Sequence, residues 1–152
     1  MNKKIPSDYY AGLTKSNAQK QKKYIRTSQK QAKLGIYKTR PIPQSYKHKP
    51  SKHTVDFNNI YKFHISNSNK ISRIIGVSTS KQKAILSKGR GAYFSSGSKP
   101  GQTPSSWAYA RLASALLGRS ACKVDQHILL PLKCSELKLL AKTRTLKPVT
   151  AK

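Results

Sequence analysis

Apolar residues fall at helical spacing along the second half of this chain and thin out in the first half, and that contrast predicts its elements. In "SNKISRIIG", Ile71, Ile74 and Ile75 lie on one helix face and Gly76 supplies a stop. "VSTSKQKAILSKGRGAYFSSG" follows, with Ser78 or Thr79 as a cap and Ala84, Ile85, Ala92 and Tyr93 as inner positions of a second helix. Gly89 and Gly91 weaken that helix or permit a close approach. The fullest helix signature runs from Gly97 to Gly118. Pro100 and Gly101 make a turn, Thr103 caps, Pro104 takes the first helical position and Gly118 closes. Ala108, Leu112, Ala115 and Leu116 share a face, with Trp107 and Arg111 beside it. "HILLPL" is a short apolar segment broken at Pro131, and Ser135 with Glu136 opens a last helix.

The first half lacks such a face. "TKSNAQKQKKYIRTSQKQAKL", Thr14 to Leu34, is rich in helix formers, has Thr14 as a cap and stops at Gly35, but offers only Ala18, Tyr24, Ile25, Ala32 and Leu34 among its cations. Such a segment is either disordered alone or a helix held by whatever neutralises it. From Ile36 to Phe63, Pro41, Pro43 and Pro50 interleave with Tyr37, Tyr46, Phe57 and Tyr61, which reads as an extended arm. Its aromatic rings either plug pockets on a neighbour or fold back on the chain itself. The expected fold is therefore mainly α: a basic N-terminal helix over residues 1–35, an arm over 36–67, a small helical domain over 68–142 and a basic tail over 143–152.

Charge changes this picture most. Against 31 Lys and Arg stand Asp8, Asp56, Asp125 and Glu136, a formal charge of +27 on 152 residues. So many like charges repel, and an anionic companion is implied. Nucleic acid fits, because each cation that neutralises a phosphate releases a condensed counterion. An acidic protein surface also fits. A membrane span does not, since no apolar run approaches the roughly 20 residues required, and no apolar stretch of a secretory leader follows the basic start.

Chemistry-bearing residues are scarce. Four acids leave little for general acid–base pairs or Mg²⁺, and "KGRG" lacks the strand and Lys-Ser/Thr ending of a phosphate-binding loop. No enzyme activity, cofactor or metal is expected. Cys122 and Cys134 have no neighbouring ligands at zinc spacing, so both are expected to be buried free thiols, as suits a reducing compartment. His127 beside Asp125 reads as a surface or capping pair. "ISRIIGVSTSKQKAILSKG" has helix-turn-helix spacing, with Ile71, Ile75, Gly76, Val77 and Ile85 as core and turn; Ser80, Lys81 and Lys83 would then face a major groove. Gln82 departs from that pattern, because an apolar residue is usual there. Trp107, Tyr109 and Arg111 either stack on bases or a peptide, or serve as structural anchors; the structural reading is preferred.

One resemblance rests on "SKGRGAYFSSGSKPGQTPSSWAYARLASALLG" with "VDQHIL", and more loosely on "PSDYYAGLTKSNAQKQKKYI" and "KPSKHTVDF". These segments resemble an uncharacterised family of small basic proteins of large double-stranded DNA viruses and some tailed phages, marked by an "RPG" turn before "WAYAR". Lys99, Pro100 and Gly101 stand at the turn, and Trp107 to Arg111 match. Tyr93 and Phe94 replace the usual aromatic–tryptophan pair, and the closing acidic run is reduced to Asp125. The resemblance implies a viral setting and no mechanism.

Together these readings give a non-enzymatic virion structural protein, a minor capsid or internal DNA-associated component assembled in a host cytoplasm in multiple copies. Its partners would be capsid or other virion proteins and nucleic acid. Candidate contacts are Lys15, Lys20, Lys22, Lys23, Arg26, Lys30 and Lys33 on the N-terminal helix, with Arg73, Lys81, Lys83, Lys88 and Arg90 beyond it. Gly97, Pro100, Gly101, Trp107, Tyr109 and Arg111 form the structural motif. The alternatives are a helix-turn-helix DNA-binding protein and a ribosomal protein.

Overall fold

A computed structural model describes residues 3–146. The protein is mainly helical, and no strand occurs among the described residues. After a short 3-10 turn at Ser7–Tyr9 come α1 (Lys15–Lys33), α2 (Lys52–Tyr61), α3 (Ser68–Ile75), α4 (Thr79–Ser95), α5 (Pro104–Leu116), α6 (Ser120–Val124), α7 (Gln126–Leu129) and α8 (Cys134–Leu146). Contacts divide the chain into two units. The first takes the chain up to Lys49 with Lys88–Trp107; the second takes Pro50–Ser87 with the chain from Ala108 onward. Each therefore draws on part of α4 and part of α5.

The second unit holds the main hydrophobic core. Ile71, Ile75, Val77, Ile85, Leu112 and Leu116 are buried there as the helical spacing predicts, together with Cys122, Leu129, Leu137 and Ala141. Ala84, expected inside, is exposed, because at about 100° per residue it falls on the side of α4 opposite Gln82, which turns inward and donates to the carbonyls of Ser68 and Val77 at 3.1 and 2.9 Å. That pair of bonds explains why a polar residue is tolerated at this position. The α5 helix is built as its sequence predicts. Ser106 N–H donates to Thr103 Oγ1 (3.1 Å), Thr103 N–H donates back to Ser106 Oγ (2.8 Å), and Pro104 needs no donor at the first position. At the other end Gly118 adopts φ +71°, while the N–H groups of Gly118 and Arg119 donate back to Ala115 and Ser114. A Cβ there would also run into the carbonyl of Cys134 and the amide of Lys138. The glycine thus stops α5 and lets the start of α8 pass close by.

Three further expectations are corrected in this unit. Residues 36–67 are not all extended arm: α2 occupies Lys52–Tyr61, and Phe57, Tyr61 and Ile65 join the core. Pro50 lies just before the α2 cap, Ser51, where a proline interrupts nothing, and Phe57 stacks on Tyr61 with ring centroids 4.7 Å apart. The helical region does not end at 142, since α8 continues to Leu146; residues 147–152 of the expected tail lie outside the described residues. Finally, Cys122 and Cys134 are not free thiols. The folding of α6 toward the start of α8 brings their Cα atoms to 5.8 Å, and they form a disulfide. Their separation of 12 along the chain carries no such signal.

The ion pair of this unit is Arg111 with Asp125. The guanidinium donates through Nε and Nη2 to the two carboxylate oxygens at 2.8 and 2.7 Å, and the Asp125 side chain is wholly buried. Hydrogen bonding to Asp125 raises the Arg111 pKa against the opposing effect of burial, with the carboxylate charge adding to the rise. A second pair, Arg119 Nη2 to Asp56 Oδ2 at 2.7 Å, ties α2 to the loop after α5, and Arg119 also donates to His53 Nδ1 at 3.0 Å.

In the first unit α1 is capped by Thr14, whose hydroxyl accepts from the Asn17 amide. Ile25 is fully buried, Gln21 and Ser28 nearly so. Ser28 donates to the Phe94 carbonyl and Gln29 to that of Ser96. So α1 is held by its own chain, which the count of apolar residues did not anticipate: one isoleucine and two side-chain hydrogen bonds do the work of a stripe. Around Gly101 (φ +73°) the backbone turns so tightly under Tyr46 that a Cβ would enter the ring, and Trp107 meets Tyr9 edge-on at 5.8 Å. Ala92, expected as an inner position of α4, is only partly buried, whereas Tyr93 is fully inside.

Reducing the Cys122–Cys134 bond should lower stability by about 3 kcal/mol for a loop of this length, read as a lower urea midpoint in the presence of a thiol-free reductant. Asp125→Ala should cost about 3 kcal/mol by stranding Arg111. The double replacement Arg111→Leu with Asp125→Leu should cost less, which equilibrium unfolding of the variants measures.

Candidate nucleic-acid interface

At about 100° per residue, the buried side of α1 centres on Gln21, Ile25 and Ser28, and the cations fall on the remaining arc. Lys15, Lys22, Arg26 and Lys33 line one flank, Lys23 and Lys30 take the outermost side, and Lys20 lies on the other flank. All but Arg26 are exposed. The helix is about 28 Å long, so these charges form a continuous cationic rail over a rigid support. Two of them are also oriented by neighbours. Arg26 donates to the Lys3 carbonyl at 2.7 Å, and the Lys22 ammonium sits 4.1 Å from the centre of the Tyr10 ring. Lys88 and Arg90, on the part of α4 that belongs to the same unit, are exposed as well.

The remaining expected contacts lie in the second unit. Arg73 is exposed in the last turn of α3, where the helix dipole favours a cation. Lys83 is exposed at a cavity of about 140 Å³ lined also by Ser66, Ser68, Thr79 and Tyr109. Lys81 is different, because its ammonium donates to the Leu130 carbonyl at 2.6 Å. Of the residues expected for a helix-turn-helix, Ile71, Ile75, Val77 and Ile85 are buried and Gly76 has φ +84°, but Lys81 is turned to its own chain. The motif residues Trp107 and Arg111 act structurally, on Tyr9 and Asp125 respectively, and Tyr109 lines the cavity.

Electrostatically, the most informative residues are the acids. All four lie among the described residues, and each is engaged: Asp8 with Lys99 at 3.9 Å on the surface, Asp56 with Arg119, Asp125 with Arg111, and Glu136 with the Lys133 amide at the start of α8. None faces the α1 rail in an ion pair. Sequence reasoning missed one residue of consequence, Arg40. It is 8% exposed, and burial lowers its pKa, an effect that the Tyr93 and Tyr9 groups oppose. Nothing in "KTRPIP" distinguishes it from the exposed cations around it.

Among the described residues no cluster of His, Cys, Asp and Glu is arranged to hold a metal ion, and no helix is long and apolar enough to cross a membrane. Residues 6–128 match a family of unknown function, DUF5824, and the chain belongs to that family. No curated protein and no solved structure matches it.

Lys23→Gln and Lys30→Gln should each lower the slope of log affinity against log salt for a nucleic-acid duplex by about 0.9 without moving the thermal midpoint. Lys81→Gln should change the slope less. Fluorescence anisotropy across a salt series, with thermal melts as control, decides this.

Proposed function

We propose that this member of DUF5824 is a non-enzymatic structural protein of a virus particle, a minor capsid or internal component that neutralises packaged nucleic acid. The observation that carries the reading is the disposition of charge. Every carboxylate side chain is engaged by a group of the chain itself, Asp125 wholly buried and Asp8 at the surface, while α1 turns a row of lysines outward. A helix fixed in this way neutralises phosphates without reading bases, and the affinity comes largely from released counterions. The viral setting comes from the resemblance of the "WAYAR" region, and the copies of the chain would lie between nucleic acid and capsid or other virion proteins. The Cys122–Cys134 disulfide removes the thiol-based argument for a reducing compartment, so such a particle would carry the chain in oxidised form.

A second reading, duplex recognition through α3 and α4, is favoured by the buried core around Gly76 and opposed by the bond from Lys81 to Leu130. The two readings separate on sequence preference and on salt. The expected result is equal affinity for unrelated duplexes, falling about a thousandfold or more between 50 and 200 mM salt if six or more phosphates are contacted. Affinity that is unchanged between dilute and near-molar salt would overturn the electrostatic account, and a marked preference for one duplex that is lost in Lys83→Gln would shift it to groove recognition.

A further inference from the structure

Directly after α1 the chain leaves its helix through Gly35 (φ +73°) and runs as a strap across the first unit. The strap is fastened at Arg40. Its guanidinium donates to the Tyr93 carbonyl (2.6 Å), to Ser28 Oγ (3.0 Å) and to Ser98 Oγ (2.8 Å), and it lies 3.8 Å from the Tyr93 ring centre; the Arg40 amide donates to the Tyr93 hydroxyl at 2.9 Å. From this anchor aromatic rings step outward. Tyr93 meets Phe94 edge-on at 5.0 Å, and Phe94 backs Tyr37 at 5.2 Å with planes inclined by 59°. Tyr37 itself is 63% exposed. Ile36 just before it and Ile42 further along the strap are 41% and 60% exposed, Lys38 follows the tyrosine directly, and Lys30 and Lys33 lie in the last turn of α1 before it, all three exposed.

An aromatic plane left open to water on a rigid backing loses little conformational freedom when something stacks on it. The chain around it selects the partner: Lys30, Lys33 and Lys38 lie within seven residues of Tyr37 and no carboxylate stands between Asp8 and Asp56, which suits a polyanion, and the apolar ring suits a flat apolar face carried by that polyanion. Unpaired nucleobases on a phosphate backbone supply both. We infer that Tyr37 is a stacking platform for an unpaired base of single-stranded nucleic acid, with Lys30, Lys33 and Lys38 holding the adjoining phosphates. This rests on the cationic reading of the chain given above and adds to it a contact made with bases rather than with phosphates. A base buried in a duplex cannot use it, so the strap gives the chain a mode of binding that charge alone does not provide.

The test compares the full-length wild type, Tyr37→Ala and Tyr37→Phe on two probes at one salt concentration: a fluorescein-labelled twenty-residue oligothymidylate, and inorganic polyphosphate of similar length as a backbone without bases. Because the ring is largely exposed, both variants should keep the wild-type helix content and thermal midpoint, which circular dichroism checks. Tyr37→Ala is expected to weaken oligothymidylate binding by about tenfold or more while leaving polyphosphate binding and the salt slope unchanged, and Tyr37→Phe should behave as wild type. If Tyr37→Ala weakens both probes alike, or weakens neither while the wild type binds both, the stacking role is overturned and the cationic reading stands. A wild type that binds neither probe would overturn both.

Discussion

Arg40 is taken out of water in this protein and Arg111 partly so, and the chain has few carboxylates to give them. Arg111 receives one, the wholly buried Asp125, in a two-pronged pair. Arg40 receives none in an ion pair and is held by a carbonyl, two hydroxyls and the face of a tyrosine ring. Removing a charge from water is expensive unless its donors are met, so both sites depend on near-complete hydrogen bonding. Each of those bonds ties a distant stretch of chain to a helix. Scarcity of acid thus shapes the interior as well as the surface. With its few carboxylates used at ion pairs and a helix start, the protein gives none of them to the lysines of α1.

A cationic chain of this kind could be satisfied by disorder, since loose lysines also attract phosphates. Here the cations are instead carried on fixed supports. α1 is anchored by Ile25, Ser28 and Gln29, so its charges keep their spacing. In the second unit the disulfide closes α6 against the start of α8, where Gly118 admits the backbone of the later helix. These devices limit the entropy that the chain would lose on meeting an extended anion, which is the physical gain of folding such a sequence at all.

The strap after α1 illustrates how a buried residue can set the properties of an exposed one. Arg40 is inside, yet its bonds to Tyr93 and Ser98 determine where Tyr37 stands. Without that anchor the segment would be one more basic, proline-rich stretch. With it, the Tyr37 ring is held on Phe94 and left exposed, the arrangement on which the proposed stacking rests.

Much of the local structure was legible in the sequence because it is decided by neighbours in the chain. Thr14, Thr103 and Pro104 mark helix starts by their own side-chain chemistry, and Gly76 and Gly118 mark stops by tolerating positive φ. The spacing of Ile71, Ile75, Leu112 and Leu116 identified core faces, and the excess of Lys and Arg over acids is the basis for proposing an anionic partner. Tertiary structure alone decided the rest, because it turned on pairs far apart in sequence. Whether Cys122 meets Cys134, whether Asp125 faces Arg111 or His127, and whether α2 packs its Phe57 inward depend on how helices fold back. Arg40 and Lys38 are alike as letters in one short segment. What separates them is that the backbone brings Ser28, Tyr93 and Ser98 within hydrogen-bonding distance of one and leaves the other in water.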